Sequence, residues 1–136
     1  KLVNDTLGHE TGDEILRQAS ARLKRAVRPG NLLARFGGDE FVLFATGDDA
    51  EREGRRVAAA LIAAFHEPFA AAGRMIFSTL SIGVALHPRD GGDAAELMRA
   101  ADLALHVSKQ SGGNVAAFYR PALAVDSLAR LDLELG

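Results

Sequence analysis

Cysteine and tryptophan are both missing from the 136 residues, and tyrosine occurs once. Without cysteine there can be no disulfide framework and no thiolate metal centre, a usage that fits a reducing, cytoplasmic setting. Positive charge is not in excess either: 16 Lys and Arg face 18 Asp and Glu, for a net charge of -2. Non-specific nucleic-acid binding needs a basic field and is excluded on that ground. A single nucleotide held with a divalent metal is not. The longest wholly apolar run, Val57 to Phe65, falls far short of the ~20 residues of a membrane span. No internal repeat or low-complexity tract is present. What remains is one soluble, globular domain with a real core, 48% of its residues hydrophobic. The expectation is a cytoplasmic domain, with any membrane anchor elsewhere in its parent protein.

The densest stretch of chemistry is Ala34-Arg35-Phe36-Gly37-Gly38-Asp39-Glu40-Phe41. Leu32, Leu33, Ala34 and Phe36 read as one short apolar strand and Phe41 to Ala45 as another. Gly37 and Gly38 supply the positive φ of the turn between them, and lacking Cβ atoms they let a ligand approach the main chain. Asp39 and Glu40, leaving the turn in succession, should point in different directions, so one can hold a metal while the other takes a proton. Read structurally, the same residues make a surface hairpin with an acidic turn.

Around this hairpin the chain alternates helix and strand. Ile15, Leu16, Ala19, Leu23, Ala26 and Val27 recur at helical spacing, with Glu14, Arg17, Arg22, Lys24 and Arg25 on the other face, and Pro29-Gly30 stops the helix. A second helix opens at Gly47-Asp48-Asp49, buries Val57, Ala58, Leu61, Ile62 and Phe65, and ends by Pro68. Arg74 to Ala85 reads as one long strand, with Gly83 marking a bulge or the close approach of a neighbouring backbone. Asp93-x-x-Glu96 is a capping box that opens a third helix with Leu97, Met98, Ala101 and Leu105 inward. Gly112-Gly113 ends it, and Val115 to Phe118 returns as an edge strand. The pattern predicts an α/β chain of the α+β kind, a mixed sheet with helices packed on it.

Four ordered segments resemble one family. Gly37 to Phe41 spells the signature of the GGDEF family, the diguanylate cyclases, letter for letter. Asn4-Asp5-Thr6-Leu7-Gly8-His9-x-x-Gly12-Asp13, Ser81-Ile82-Gly83-Val84-Ala85, and Ala101-Asp102-x-Ala104-Leu105-x-x-x-Lys109-x-x-Gly112 agree with it in the same order. The resemblance runs from Lys1 to about Phe118. It implies a central sheet of about five strands, of the kind shared by nucleotidyl cyclases and polymerase palm domains. It also implies condensation of two GTP into cyclic di-GMP and pyrophosphate by a homodimer that uses Mg2+ or Mn2+.

Carried over by position, Asp39 resembles a metal ligand and Glu40 the residue that deprotonates the 3′-hydroxyl. Asn4 and Asp13 resemble the residues that read guanine, with His9 over the base or ribose; read structurally, Asn4 and Asp13 are helix caps. Lys1 and Lys109 match lysines near the phosphates, and Gly37 and Gly38 border the nucleotide. A second metal-binding Asp belongs to an Asp-x-Asp-x-Phe-Lys segment ending at Lys1, and so has no counterpart among these residues. An arginine that contacts phosphate in the family is Gly113 here. Losing one charge-assisted contact of about 1.5–3 kcal/mol weakens binding roughly tenfold to a hundredfold. The family's product-inhibition motif, Arg-x-x-Asp, stands here as Arg28-Pro29-Gly30-Asn31, one carboxylate short.

Residues 1–119 are thus expected to form a GGDEF domain lacking its first strand, and 120–136 a connecting helix with Leu128, Leu131 and Leu135 in one stripe. Such a helix resembles the link to an EAL phosphodiesterase domain in cis. The leading function is a diguanylate cyclase domain. The alternatives are a catalytically weak GTP-binding domain that regulates the EAL partner, and a dimerisation or cyclic di-GMP-sensing module.

Overall fold

In the structure, a computed structural model, residues 8–123 are described. Helix α1 (His9–Ala26) buries Gly12, Ile15, Ala19 and Leu23, an apolar stripe with the three-to-four-residue recurrence of a helix face. It starts at His9, where Gly8 adopts φ 92° and its carbonyl accepts from Gly12 N–H at 3.1 Å. Asp13 therefore lies inside the helix and is exposed. The capping alternative does not hold for it.

Arg22 departs from the expected polar face. Its guanidinium turns to the end of helix α2 (Ala50–Ala64) and donates to the carbonyls of Ala64 (3.0 Å), Glu67 (2.6 Å) and Pro68 (3.0 Å). It also lies 3.8 Å above the Phe69 ring. A helix C-terminus leaves carbonyls without partners, and a planar fork of donors suits them. At the other end of α2, Asp49 accepts from Arg52 N–H at 3.1 Å, an N-cap.

Strands β1 (Leu32–Arg35) and β2 (Phe41–Phe44) pair antiparallel, Leu33 opposite Leu43. Leu33, Leu43 and Phe41 pack on a core of Ile15, Ala19, Leu23, Leu61, Phe65, Phe69 and Ala71. On the other face the pair Leu32 and Phe44 stays exposed.

The long strand expected over Arg74 to Ala85 is two short ones. β4 (Arg74–Ile76) pairs with β3 (Phe69–Ala71) in a hairpin that the sequence reading missed, turned by Ala72 and Gly73 at φ 54° and 71°. β5 (Ile82–Val84) pairs in parallel with β6 (Ala116–Phe118). Residues 77–81 between them join no ladder. The α+β class holds, but the expected single sheet stands as three two-stranded ladders among the described residues. Among the described residues β2 and β5 each pair along one side only, and Phe41 of β2 and residues 78–80 line an apolar cleft floored by α1.

Helix α3 (Ala94–Gln110), capped by Asp93 on Glu96 N–H at 2.8 Å, buries Ala100, Ala104 and Ser108. Leu97, Met98, Ala101 and Leu105, expected innermost, are half-buried. The helix turns its small residues inward because it lies on Gly83. A Cβ there would overlap the Ala101 carbonyl and the Leu105 nitrogen and would come within 2.8 Å of Leu105 Cα. Close backbone approach, one of the two readings of Gly83, is thus what the fold uses. Val84, next along the strand, faces Gly54 of α2, so β5 and β6 are held between α2 and α3. No helix among the described residues is long and apolar enough to cross a membrane. The stripe Leu128, Leu131, Leu135 lies outside them.

Gly83→Ala is expected to destabilise the domain by about 3 kcal/mol, the upper range for overpacking. Because the obstacle is backbone, Ala101→Gly should not rescue it. Denaturant unfolding of the two variants and their combination checks this, and a rescue would show that the helix can shift away.

Candidate functional site

The Gly-Gly turn closes on two backbone bonds. Phe36 N–H donates to Glu40 O at 2.8 Å, and Glu40 N–H donates to Gly37 O at 3.0 Å. Gly37 and Gly38 sit at φ 86° and 51°, and a Cβ at either would meet nothing within 4 Å. Conformation, not space, calls for glycine here. Arg35, the last residue of β1, reaches across with Nε and Nη2 to the Gly38 carbonyl, at 3.0 and 2.6 Å.

Beyond the turn the two acids part. Asp39 lines a cleft of about 130 Å³ together with Gly12, Ile15, Phe41, Phe65 and Thr79, while Glu40 is exposed and is not part of the lining. The positive charge of Lys109 acts on the Asp39 carboxyl. The last turn of α3, which carries Lys109, therefore faces the same region as the hairpin.

Helix α1 brings its first turns to the cleft through Gly12 and Ile15. His9 and Asp13 stand one turn apart on that helix, hence on one side of it, and both are exposed. Lys1 and Asn4 lie outside the described residues. Ser78, Thr79 and Leu80 were missed as site residues, since the reading placed them inside a continuous strand. Two hydroxyls in an otherwise apolar run, just ahead of Ser81-Ile82-Gly83, were the signal available.

Arg28 and Asn31 lie at the far end of the hairpin. Asn31 Oδ1 accepts from Thr46 N–H at 3.3 Å, tying the entry of β1 to the exit of β2. Arg28 is exposed and carries charge toward Glu53. The hydrogen bonds from Arg56 hold Glu53 below its usual range, burial opposes them, and the charges of Arg56 and Arg28 add to the lowering. Gly112, Gly113 and Asn114 follow α3 at φ 98°, 76° and 57°. Gly113 N–H closes on Ser108 O at 3.0 Å, and a Cβ on Gly113 would come within 3.0 Å of Ser81 Oγ. Position 113, where the resemblance implies an arginine, thus has a backbone that favours glycine in this chain.

The family described as diguanylate cyclase, GGDEF domain, matches residues 1–115. The chain belongs to the GGDEF family. It is similar to the cyclic di-GMP phosphodiesterase NbdA of Pseudomonas aeruginosa, 39% identical over 98% of this chain and 17% of that protein. It is also similar to the bifunctional diguanylate cyclase/cyclic di-GMP phosphodiesterase MucR of the same organism, 33% identical over 98% of this chain and 19% of that protein. The chain thus spans less than a fifth of these curated relatives. Among solved structures, the GGDEF domain of TpbB (YfiN) from P. aeruginosa superposes with a TM-score of 0.85 at 31% identity, covering 93% of this chain and 74% of that one. The mixed helix-and-strand architecture of this GGDEF domain, with its Gly-Gly hairpin beside α1, is the family's fold.

Gly38 gives a sharp test of the turn. Since only φ restricts it, Gly38→Val should cost about 1–2 kcal/mol, and Gly38→Asn, whose side chain tolerates left-handed backbone, less than half of that. Equal losses in urea unfolding would mean that something other than φ sets the requirement.

Proposed function

We propose that this GGDEF domain is the diguanylate cyclase unit of a larger protein, joining two GTP molecules into cyclic di-GMP. The observation that carries the reading is the intact turn, which sends Asp39 into the cleft beside α1 and leaves its neighbour Glu40 outside it. Each domain holds one GTP, so two copies face each other. The 3′-oxygen of one nucleotide attacks the α-phosphorus of the other, its proton passes to Glu40, and the bond to pyrophosphate breaks. Asp13 accepts hydrogen bonds from guanine N1–H and N2–H, with His9 and the Asn4 amide beside the base. Lys109 and Lys1 offset charge on the triphosphate, which the bare Gly37-Gly38 backbone lets approach.

Asp39 suits Mg2+ or Mn2+: a hard cation of this kind takes one or two carboxylates together with substrate phosphate oxygens. Among the described residues no group of three or more His, Cys, Asp or Glu could hold a metal. Asp39 would hold such an ion together with phosphate oxygens of the bound nucleotide. When bound, the ion neutralises charge on the phosphates and on the attacking oxygen.

A second reading has specific support. The glycine-built turn at Gly113 removes a phosphate cation, and the relatives NbdA and MucR are named for phosphodiesterase activity. On that reading the domain binds GTP weakly and regulates an EAL phosphodiesterase domain in cis. Cyclic di-GMP feedback through Arg28 and Asn31 is weak on either reading, because the Asn31 amide offers one acceptor oxygen where a carboxylate offers two.

The decisive experiment gives the parent protein GTP and Mg2+ and resolves the nucleotides by chromatography. Cyclic di-GMP is expected, Glu40→Gln should remove turnover while leaving GTP binding largely intact, and Asp39→Asn should weaken metal-dependent binding as well. GTP binding without product, together with GTP-dependent phosphodiesterase activity, would favour the regulatory reading. Equal turnover in the Glu40→Gln protein and its parent would remove Glu40 from its role.

A further inference from the structure

We propose that Arg35 is a positioning residue for Asp39, acting through the peptide that joins Gly38 to Asp39; the catalytic part of this inference rests on the cyclase reading. Two adjacent glycines give the turn wide conformational freedom. Its backbone bonds, Phe36 N–H to Glu40 O and Glu40 N–H to Gly37 O, hold the ends and leave the Gly38 carbonyl outside them. That carbonyl is the one Arg35 takes, with Nε at 3.0 Å and Nη2 at 2.6 Å. The oxygen of Gly38 and the N–H of Asp39 share one rigid plane. Holding the first fixes the direction in which the chain enters Asp39, and hence where its carboxylate meets the cleft.

Packing does not explain the placement. Arg35 is exposed and makes no ion pair among the described residues, so its guanidinium is committed to a neutral carbonyl three residues on. Its own backbone is anchored: Arg35 is the last residue of β1 and pairs with Phe41, the first of β2. The clamp therefore runs from the end of the ladder to the middle of the turn. Both donors come from one planar fork, a geometry that lysine cannot reproduce.

The test reads the turn directly and activity separately. In the isolated domain, Arg35→Ala should broaden the Gly38 and Asp39 amide resonances through microsecond-to-millisecond exchange, leaving those of α3 sharp. Arg35→Lys should fall between. In the parent protein, Arg35→Ala should raise the Mg2+ concentration for half-maximal turnover about tenfold, with the KM for GTP at saturating metal within twofold of the original. A role confined to hairpin stability would move the melting temperature and not this split. Turn resonances as sharp as in the unmodified domain, or an unchanged Mg2+ requirement, would overturn the proposal. If Arg35→Ala does not fold, Arg35→Lys and Arg35→Gln are read in the same way. If the unmodified parent protein makes no cyclic di-GMP, the cyclase reading fails and the resonance comparison alone decides the positioning of Asp39.

Discussion

Arg22 holds the positions of three elements at once. Its guanidinium takes the carbonyls at the end of α2 and in the loop after it, and its flat face lies on Phe69 of β3, so α1, α2 and β3 meet at one side chain. Hydrogen bonds made by a charged group are worth about 1.5–3 kcal/mol, more than an exposed ion pair such as Arg17 with Glu14. The cleft depends on this joint. Its floor is α1, its wall includes Phe65 at the end of α2, and a helix free to rotate would carry Gly12 and Ile15 away from Asp39.

The helices were legible because their signals are local. The spacing of Ile15, Ala19 and Leu23 and the caps Asp49 and Asp93 each act within a few residues of where they are read. The β structure was less so, since a strand is defined by its partner. The β-branched run near Thr79 predicts a strand only if another lies beside it, and residues 77–81 have none among the described residues. Arg22 misled for a related reason. A charged residue on a periodic helix reads as solvent-facing, and only the tertiary position of α2 reveals the carbonyls waiting for it.

The site divides in the same way. The turn could be read letter by letter, because Gly37, Gly38, Asp39 and Glu40 are contiguous and their φ requirements are a property of the residues themselves. That Gly12 and Thr79 share the cleft with Asp39 is a fact of packing across the chain. Asn31 shows the limit of reading by resemblance alone. As a departure from a motif it is a lost carboxylate, yet in the fold its oxygen closes the hairpin on Thr46.

The turn after α3 constrains what side chain position 113 can carry. Three successive residues there are left-handed, and the Ser81 hydroxyl occupies the space beside Gly113. An arginine arriving at 113 would meet a conformational penalty of about 1–2 kcal/mol and a displaced serine before its charge could reach any ligand. A charge added at 113 would therefore act first on the turn and only then on a ligand.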